Sequence, residues 1–168
     1  NETLVSGATV ADIGCGAGSA ILLMGRHFPK SSFVGYDISQ YALDRAADKL
    51  NASGLNNVSF SDPRKQPLPT DNSIDFITTF DCIHDMTHPA QMMQAIRAAI
   101  KPTGTWLLVD IKAHDTFALN AQKNPMAPLM YGISVLSCMS SAMSTPDGAG
   151  LGTLGFSAST AEAMAKSA

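Results

Sequence analysis

The sequence predicts an α/β domain built on a mostly parallel sheet, doubly wound with helices on both faces. Three observations predict it. Five short apolar, β-branched runs lie between residues 8 and 111, and stretches with helical spacing separate them. The first run stops on alternating glycines, Gly14, Gly16 and Gly18, and the second stops on an acid, Asp37. Strands that return in the same direction need such intervening crossovers.

The elements follow in order. Residues 8–13 read as a buried parallel strand that ends at glycine. Residues 19–28 carry Ile21, Leu22, Leu23 and Phe28 and are expected to be helical until Pro29 stops them. Residues 32–36 form the second strand, and Ser39 caps a helix expected through Leu50. Gly54 then turns the chain into a short third strand, 58–60, followed by a loop with Pro63, Pro67 and Pro69. Residues 74–80 are the fourth strand. Pro89 opens the next helix, where its missing N–H costs nothing. Gly104 is expected to turn into a fifth strand over 106–111. Beyond it, 126–143 reads as apolar helix, 144–155 as a glycine-rich loop, and 159–168 as a helix running to the last residue.

At 168 residues the chain has room for one domain, 1–168, burying about 70% of the surface its unfolded form exposes. Apolar residues make up 45% and charged residues 15% of the chain, which suits a globular α/β domain more than a disordered segment. The net charge of −3 provides no field for a phosphate backbone, so nucleic acid is not an expected partner. Cys15, Cys82 and Cys138 form no CxxC pair, which argues against a disulfide framework or a zinc knuckle. No apolar run reaches the roughly 18 residues of a membrane helix, and no signal segment opens the chain, so the cytoplasm is the default compartment. With no initiating Met and no leading helix expected before the first strand, the chain reads as a fragment.

The glycine loop lies between a strand and a helix. Glycine suits a sharp turn there, and it lets the backbone approach a ligand with no Cβ between them. The helix start also presents free N–H groups to an anion. Asp37 stands 19 residues past Gly18 at the next strand's end, where a carboxylate accepts from ribose hydroxyls. Such a charge-assisted bond is worth roughly 1.5–3 kcal/mol. A tight turn with a capping Asp37 is the structural alternative. The dinucleotide fingerprint GxGxxG needs glycine at position 19 or 21, and these hold Ser19 and Ile21. The register is GxGxG, with Asp12 two residues ahead of it.

VADIGCGAGS (10–19) and FVGYDIS (33–39) resemble the first two motifs of class I S-adenosylmethionine-dependent methyltransferases, whose fold is Rossmann-like. The resemblance runs from Thr9 to about Gly155. It implies that Asp12 orients the methionine part of the cofactor, that Gly14, Gly16 and Gly18 line its path, and that Asp37 holds the ribose. It also implies that Ile38 packs on adenine, that Asp62 in SFSD accepts from the adenine amino group, and that Phe80 and Asp81 lie beside the methionine end. The cofactor implied is S-adenosylmethionine, with S-adenosylhomocysteine as product. An Asp-Pro turn is the alternative role for Asp62, beside Pro63.

In TTFDCIHDMTHP (78–89), His84 and Asp85 are placed toward the methyl acceptor by the same resemblance. Three roles are open to them. One is general base or acceptor contact, and the second is capping. The third is metal ligation with Asp81 and His88, at an i,i+4 histidine spacing that the loop before Pro89 need not present on one face; no metal is expected. Asp110 and His114, after the fifth strand, either border the acceptor site or, for Asp110, cap the strand.

YGISVLSCMSSAMSTPDGAGLGT (131–153), with FDCIHD and VDIKA, resembles a methyltransferase subgroup that carries an N-terminal winged-helix domain, absent here. In that subgroup an inserted helical region, matching 113–155, covers the acceptor pocket. The family's last two strands, an antiparallel hairpin, have no counterpart in this sequence. The function implied is methyl transfer by in-line displacement to a small-molecule acceptor, with a protein acceptor as a second class. The rivals are an NAD(P)-dependent oxidoreductase and a regulatory module that binds the cofactor without catalysis. Oligomeric state has no signature in the sequence.

Overall fold

In the computed structural model, which describes residues 2–168, strand and helix alternate as the sequence implies. Ahead of the first strand stands a short helix that was not expected, α1 (Glu2–Ser6). The five strands are β1 (Thr9–Ile13), β2 (Ser32–Tyr36), β3 (Val58–Ser61), β4 (Ile74–Phe80) and β5 (Ile100–Val109). They form one sheet in the order β3-β2-β1-β4-β5. β1 pairs in parallel with both β2 and β4, and β2 with β3. The chain therefore steps outward from β1 and then jumps back to its other side. That reversal between β1 and β4 is where ligands bind in open α/β sheets.

The chain divides into two compact units. Asn1–Phe80 with Ala95–Leu108 makes the first, and Asp81–Gln94 with Val109–Ala168 the second. In the first, α2 (Ser19–His27) and α3 (Gln40–Ser53) are the crossovers of β1, β2 and β3. Ile21 and Leu22 of α2 pack on Val10, Phe33 and Val58, and Phe28, Leu50 and Phe60 extend that cluster. Ser39 Oγ caps α3 by accepting from Ala42 N at 3.3 Å. α3 runs three residues past Leu50 because the stop is the left-handed Gly54, at φ 68°.

β5 departs from expectation. It begins at Ile100, directly after α4 (Pro89–Ala99), so Pro102 and Gly104 lie inside a strand and not in a turn. β5 is an edge strand, where proline's missing donor is tolerated. A Cβ on Gly104 would come within 3.1 Å of the Ile74 and Asp75 carbonyl oxygens, so glycine is there for close strand approach. Trp106 Nε1 donates to Thr79 Oγ1 at 3.0 Å, tying β5 to β4.

In the second unit, Ile83–Asp85 is a single 3-10 turn. The expected 126–143 helix is two helices, α6 (Ala127–Leu136) and α7 (Cys138–Ala142), broken at Ser137. α5 (Phe117–Lys123), capped by Thr116, was not expected, and α8 (Ala158–Ser167) starts at the Ser157 cap. Asn120 is buried and fastens two stretches of loop. Its Oδ1 accepts from His114 N at 2.8 Å, and its Nδ2 donates to the carbonyls of His114 and Leu154. Among the described residues no helix is long and apolar enough to cross a membrane.

Candidate functional site

In the first unit the glycine loop hangs from the end of β2. Gly14 N and Cys15 N both donate to the Tyr36 carbonyl, at 2.8 and 3.0 Å. Gly14, Gly16 and Gly18 all have positive φ, at 71°, 54° and 73°. Their reasons for being glycine then diverge. A Cβ on Gly18 would lie 2.4 Å from Phe60 Cζ and 3.2 Å from Ala46 Cβ. A Cβ on Gly16 would meet nothing within 4 Å, so the loop has open space beside its tip.

Asp37 is what holds that tip. Its Oδ2 accepts from Gly16 N and its Oδ1 from Ser39 N, both at 2.8 Å. Each oxygen keeps a second lone pair for a hydroxyl. The next residue, Ile38, leaves an apolar surface exposed. The acid at the end of one strand therefore fixes the loop at the end of its neighbour. Open space at Gly16, free lone pairs on Asp37 and bare Ile38 suit a ribose and a flat base. On these features the residues present fit an adenosine cofactor.

Asp12 lies on β1 opposite Thr78 of β4, at the point of strand reversal. Burial raises its carboxyl from 3.8 to about 6; the bond from Thr78 Oγ1 at 2.7 Å opposes this, and the Asp37 charge reinforces it. Between those pH values the folded chain keeps a proton that the unfolded chain has lost. Stability from this group therefore falls as pH rises through the window, ending about 3 kcal/mol lower above it. Asp12→Asn keeps an acceptor for Thr78 and removes the charge. The variant is expected to equal or exceed the parent in stability near neutral pH and to bind S-adenosylhomocysteine more weakly. Urea midpoints followed from about pH 4 to 7, with calorimetry, check both outcomes.

Asp62 follows β3 and is buried, as expected for a strand-end acid. Arg64 occupies it. Arg64 N and Nε donate to Oδ1 at 2.9 Å, and Nη2 donates to Oδ2 at 2.7 Å. This hydrogen bonding holds the Asp62 carboxyl down at about 2. Arg64 Nη2 also reaches the Ile38 carbonyl at 2.6 Å, bracing the segment after β2. The geometry on hand is thus the Asp-Pro turn, reinforced by an arginine that sequence reading did not single out. Phe80 ends β4 half-buried.

In the second unit, Asp81 is exposed and holds a left-handed φ of 53°, with its N–H on the Val109 carbonyl at 2.8 Å. Such a conformation in a non-glycine residue is uncommon and clusters at functional positions. His84 is buried, and Asp110 Oδ1 lies 2.7 Å from its Nδ1. Asp85 Oδ1 lies 3.0 Å from His84 Nε2, and Asp81 Oδ1 is 3.9 Å from Nδ1. Burial lowers the His84 pKa, but the Asp110 hydrogen bond and the charges of Asp110, Asp85 and Asp81 outweigh it, and the net shift is upward. Two buried oxygens, Asp85 Oδ1 and Asp110 Oδ2, accept no hydrogen bond. Each such atom carries a desolvation cost of roughly 1–3 kcal/mol or more.

The glycine-rich 144–155 loop closes on this cluster. Gly152 N donates to the His84 carbonyl and Ala149 N to the Thr87 carbonyl. Cys138 of α7 is buried with Sγ 3.0 Å from Thr153 Oγ1. Of the proposed metal set, His88 stands apart, its Nε2 4.0 Å from Asp147. His84 instead gathers with Asp85 and Cys138 on one side, and with Asp81 and Asp110 on the other. Asp110 had a sequence signal as a strand-end acid. Cys138 and Gly152 had none, because distant chain brings them there.

A family model described as a methyltransferase domain matches residues 4–160. The uncharacterized methyltransferase C1B3.06c of Schizosaccharomyces pombe is 27% identical over 103 residues, 56% of this chain and 37% of that protein. YcgJ of Bacillus subtilis, also an uncharacterized methyltransferase, is 28% identical over 102 residues, 60% of this chain and 40% of its own. The solved YcgJ structure has a TM-score of 0.66 at 23% identity, over 95% of this chain and 60% of that one, a likeness of fold. A SAM-dependent methyltransferase structure from Aquifex aeolicus has a TM-score of 0.59 and 28% identity, over 68% of this chain and 62% of that one. The chain spans 37–40% of the length of these two curated relatives. The GxGxG register, the Asp37 clamp and a match over residues 4–160 agree, and the chain belongs to the methyltransferase-domain family.

Proposed function

We propose that the chain is the cofactor-binding part of an S-adenosylmethionine-dependent methyltransferase acting on a small molecule. The observation that carries this is the Asp37 carboxylate held on Gly16 N while the loop tip stays open. Asp37 accepts from the ribose, Ile38 covers adenine, and the Gly14–Gly18 backbone and Asp12 line the methionine side. Asp62 reaches the adenine amino group only if Arg64 releases an oxygen. S-adenosylmethionine, when bound, supplies a methyl group already activated on a sulfonium, for in-line displacement by an aligned, desolvated nucleophile.

The chain's own groups then orient and exclude water. His84, fixed by Asp110, is the residue that takes a proton from an acceptor once pH exceeds its raised pKa. Asp85 is the accompanying acceptor contact. The mildly acidic chain and the 113–155 helical segment favour a small acceptor over a nucleic acid or a broad protein surface. Incubation with S-adenosylmethionine and a panel of small hydroxyl, amine and thiol acceptors, read by mass spectrometry, is expected to yield S-adenosylhomocysteine and a methylated acceptor together. Methylation of a protein substrate with none of the small acceptors modified would overturn the small-molecule assignment.

A further inference from the structure

We propose that the second unit contains a zinc-type divalent cation site formed by His84 Nε2, the Asp85 carboxylate and Cys138 Sγ. These donor atoms lie within 4.8 Å of one another, and His84 and Cys138 are 2% and 8% exposed. A nitrogen, an oxygen and a sulfur donor together select zinc and its soft-to-borderline neighbours over magnesium or calcium, which take oxygen ligands.

The partners of each donor decide which atoms ligate. His84 Nδ1 is committed to Asp110 Oδ1 at 2.7 Å, and that oxygen also accepts from Ile111 N at 2.8 Å. Nε2, which faces Asp85 Oδ1 at 3.0 Å, is therefore the ring nitrogen left to ligate, oriented by a carboxylate behind the ring. Metal-binding histidines are held by this same carboxylate–imidazole arrangement. The second cluster, Asp81 with His84 and Asp110, would need the nitrogen already taken, so it is the weaker candidate.

Two further observations bear on a cation. Asp85 already faces both other donors: its Oδ1 is 3.0 Å from Nε2, and its carboxylate shares a side-chain hydrogen bond with Cys138. Asp110, with its side chain 5% exposed, leaves Oδ2 without a partner in the same cluster. A divalent ion with the Asp85 carboxylate and the Cys138 thiolate forms a locally neutral unit. Tetrahedral zinc places neighbouring donors roughly 3.3–3.6 Å apart, so the 3.0 Å nitrogen–oxygen distance needs little adjustment. Thr153 Oγ1, 3.0 Å from Sγ, can donate to the thiolate. With three protein ligands, one position stays open for water or a substrate atom.

The site is tested by binding alone; while an ion holds Nε2, His84 cannot also take a proton from an acceptor, so the base role proposed above belongs to the metal-free chain. Untagged chain is titrated with zinc chloride against a competing chelator, and with cobalt(II) followed by absorption. The expected results are one equivalent of zinc bound and a cobalt spectrum with tetrahedral visible bands and a thiolate charge-transfer band. Cys138→Ser is expected to remove that band and weaken zinc binding at least 100-fold. His84→Gln and Asp85→Asn are expected to weaken it comparably, while Cys82→Ser and His88→Gln leave it unchanged. Circular dichroism checks that each variant is folded. If a variant is not, the parent's cobalt spectrum still decides. No stoichiometric zinc binding by the parent, or a cobalt complex without the thiolate band, overturns the proposal. So does full zinc affinity in folded Cys138→Ser or His84→Gln.

Discussion

Gly18→Ala is expected to destabilise the chain by about 2–5 kcal/mol, from a left-handed backbone penalty plus overpacking. The φ of 73° disfavours any side chain there. The new Cβ would also lie 2.4 Å from Phe60 Cζ. The ring is also close to β2, because its Cδ1–Cε1 edge lies 2.7–2.8 Å from where a Gly35 Cβ would stand. Three elements converge on that ring, so displacing it disturbs β2, β3 and the start of α2 together. Gly16→Ala is the internal control. Its φ of 54° carries a similar backbone penalty, but the added methyl meets no neighbour. It is expected to cost only about 1–2 kcal/mol while weakening S-adenosylhomocysteine binding by filling the cradle. Adding Phe60→Leu to Gly18→Ala should recover part of the overpacking cost, read as coupling in a double-mutant cycle. A Gly18→Ala cost no larger than that of Gly16→Ala would show that the ring contact does not matter.

Asp110→Asn is expected to cost about 3–5 kcal/mol, since it removes one member of a buried charged pair. The amide cannot replace the negative charge facing His84 Nδ1, 2.7 Å away. The pH dependence identifies the cause. His84 has a folded pKa above its ordinary 6.5, so its contribution is fully present below 6.5 and is lost as pH rises through the folded value. The penalty of Asp110→Asn should therefore be largest near pH 6 and shrink toward alkaline pH. Urea unfolding of parent and variant across that range measures it. A penalty independent of pH would assign Asp110 to packing alone.

Much of this architecture is legible in local sequence. β2 and β4 occupy Ser32–Tyr36 and Ile74–Phe80 as expected, because each is a short run rich in aromatic or β-branched residues between breakers. The glycine loop and Asp37 are legible because their spacing encodes one strand–loop–helix unit and the end of the next strand. Legibility fails where tertiary contact overrides local preference. Pro102 and Gly104 resemble a turn, but an edge strand tolerates the proline and β4 requires the glycine. Ser137 interrupts an apolar run that has neither glycine nor proline at that point. The Asp62 acid was visible, whereas its occupation by Arg64 depends on side-chain conformation. His84 and Asp85 were visible as chemistry-bearing residues. That Asp110, Cys138 and Gly152 gather around them depends on chain returning from 26 to 68 residues away.

Calorimetry of S-adenosylhomocysteine binding to the parent and to Asp37→Ala, with NAD as the competitor nucleotide, tests the cofactor assignment most directly. Asp37 has two duties, one on the ribose and one on Gly16 N. Its loss is expected to weaken binding by about 10-fold or more, at roughly 1.4 kcal/mol per decade, in a chain that stays folded, and NAD should not bind. Binding of NAD but not of S-adenosylhomocysteine, or unchanged S-adenosylhomocysteine affinity in folded Asp37→Ala, would contradict the placement of the cofactor on this loop.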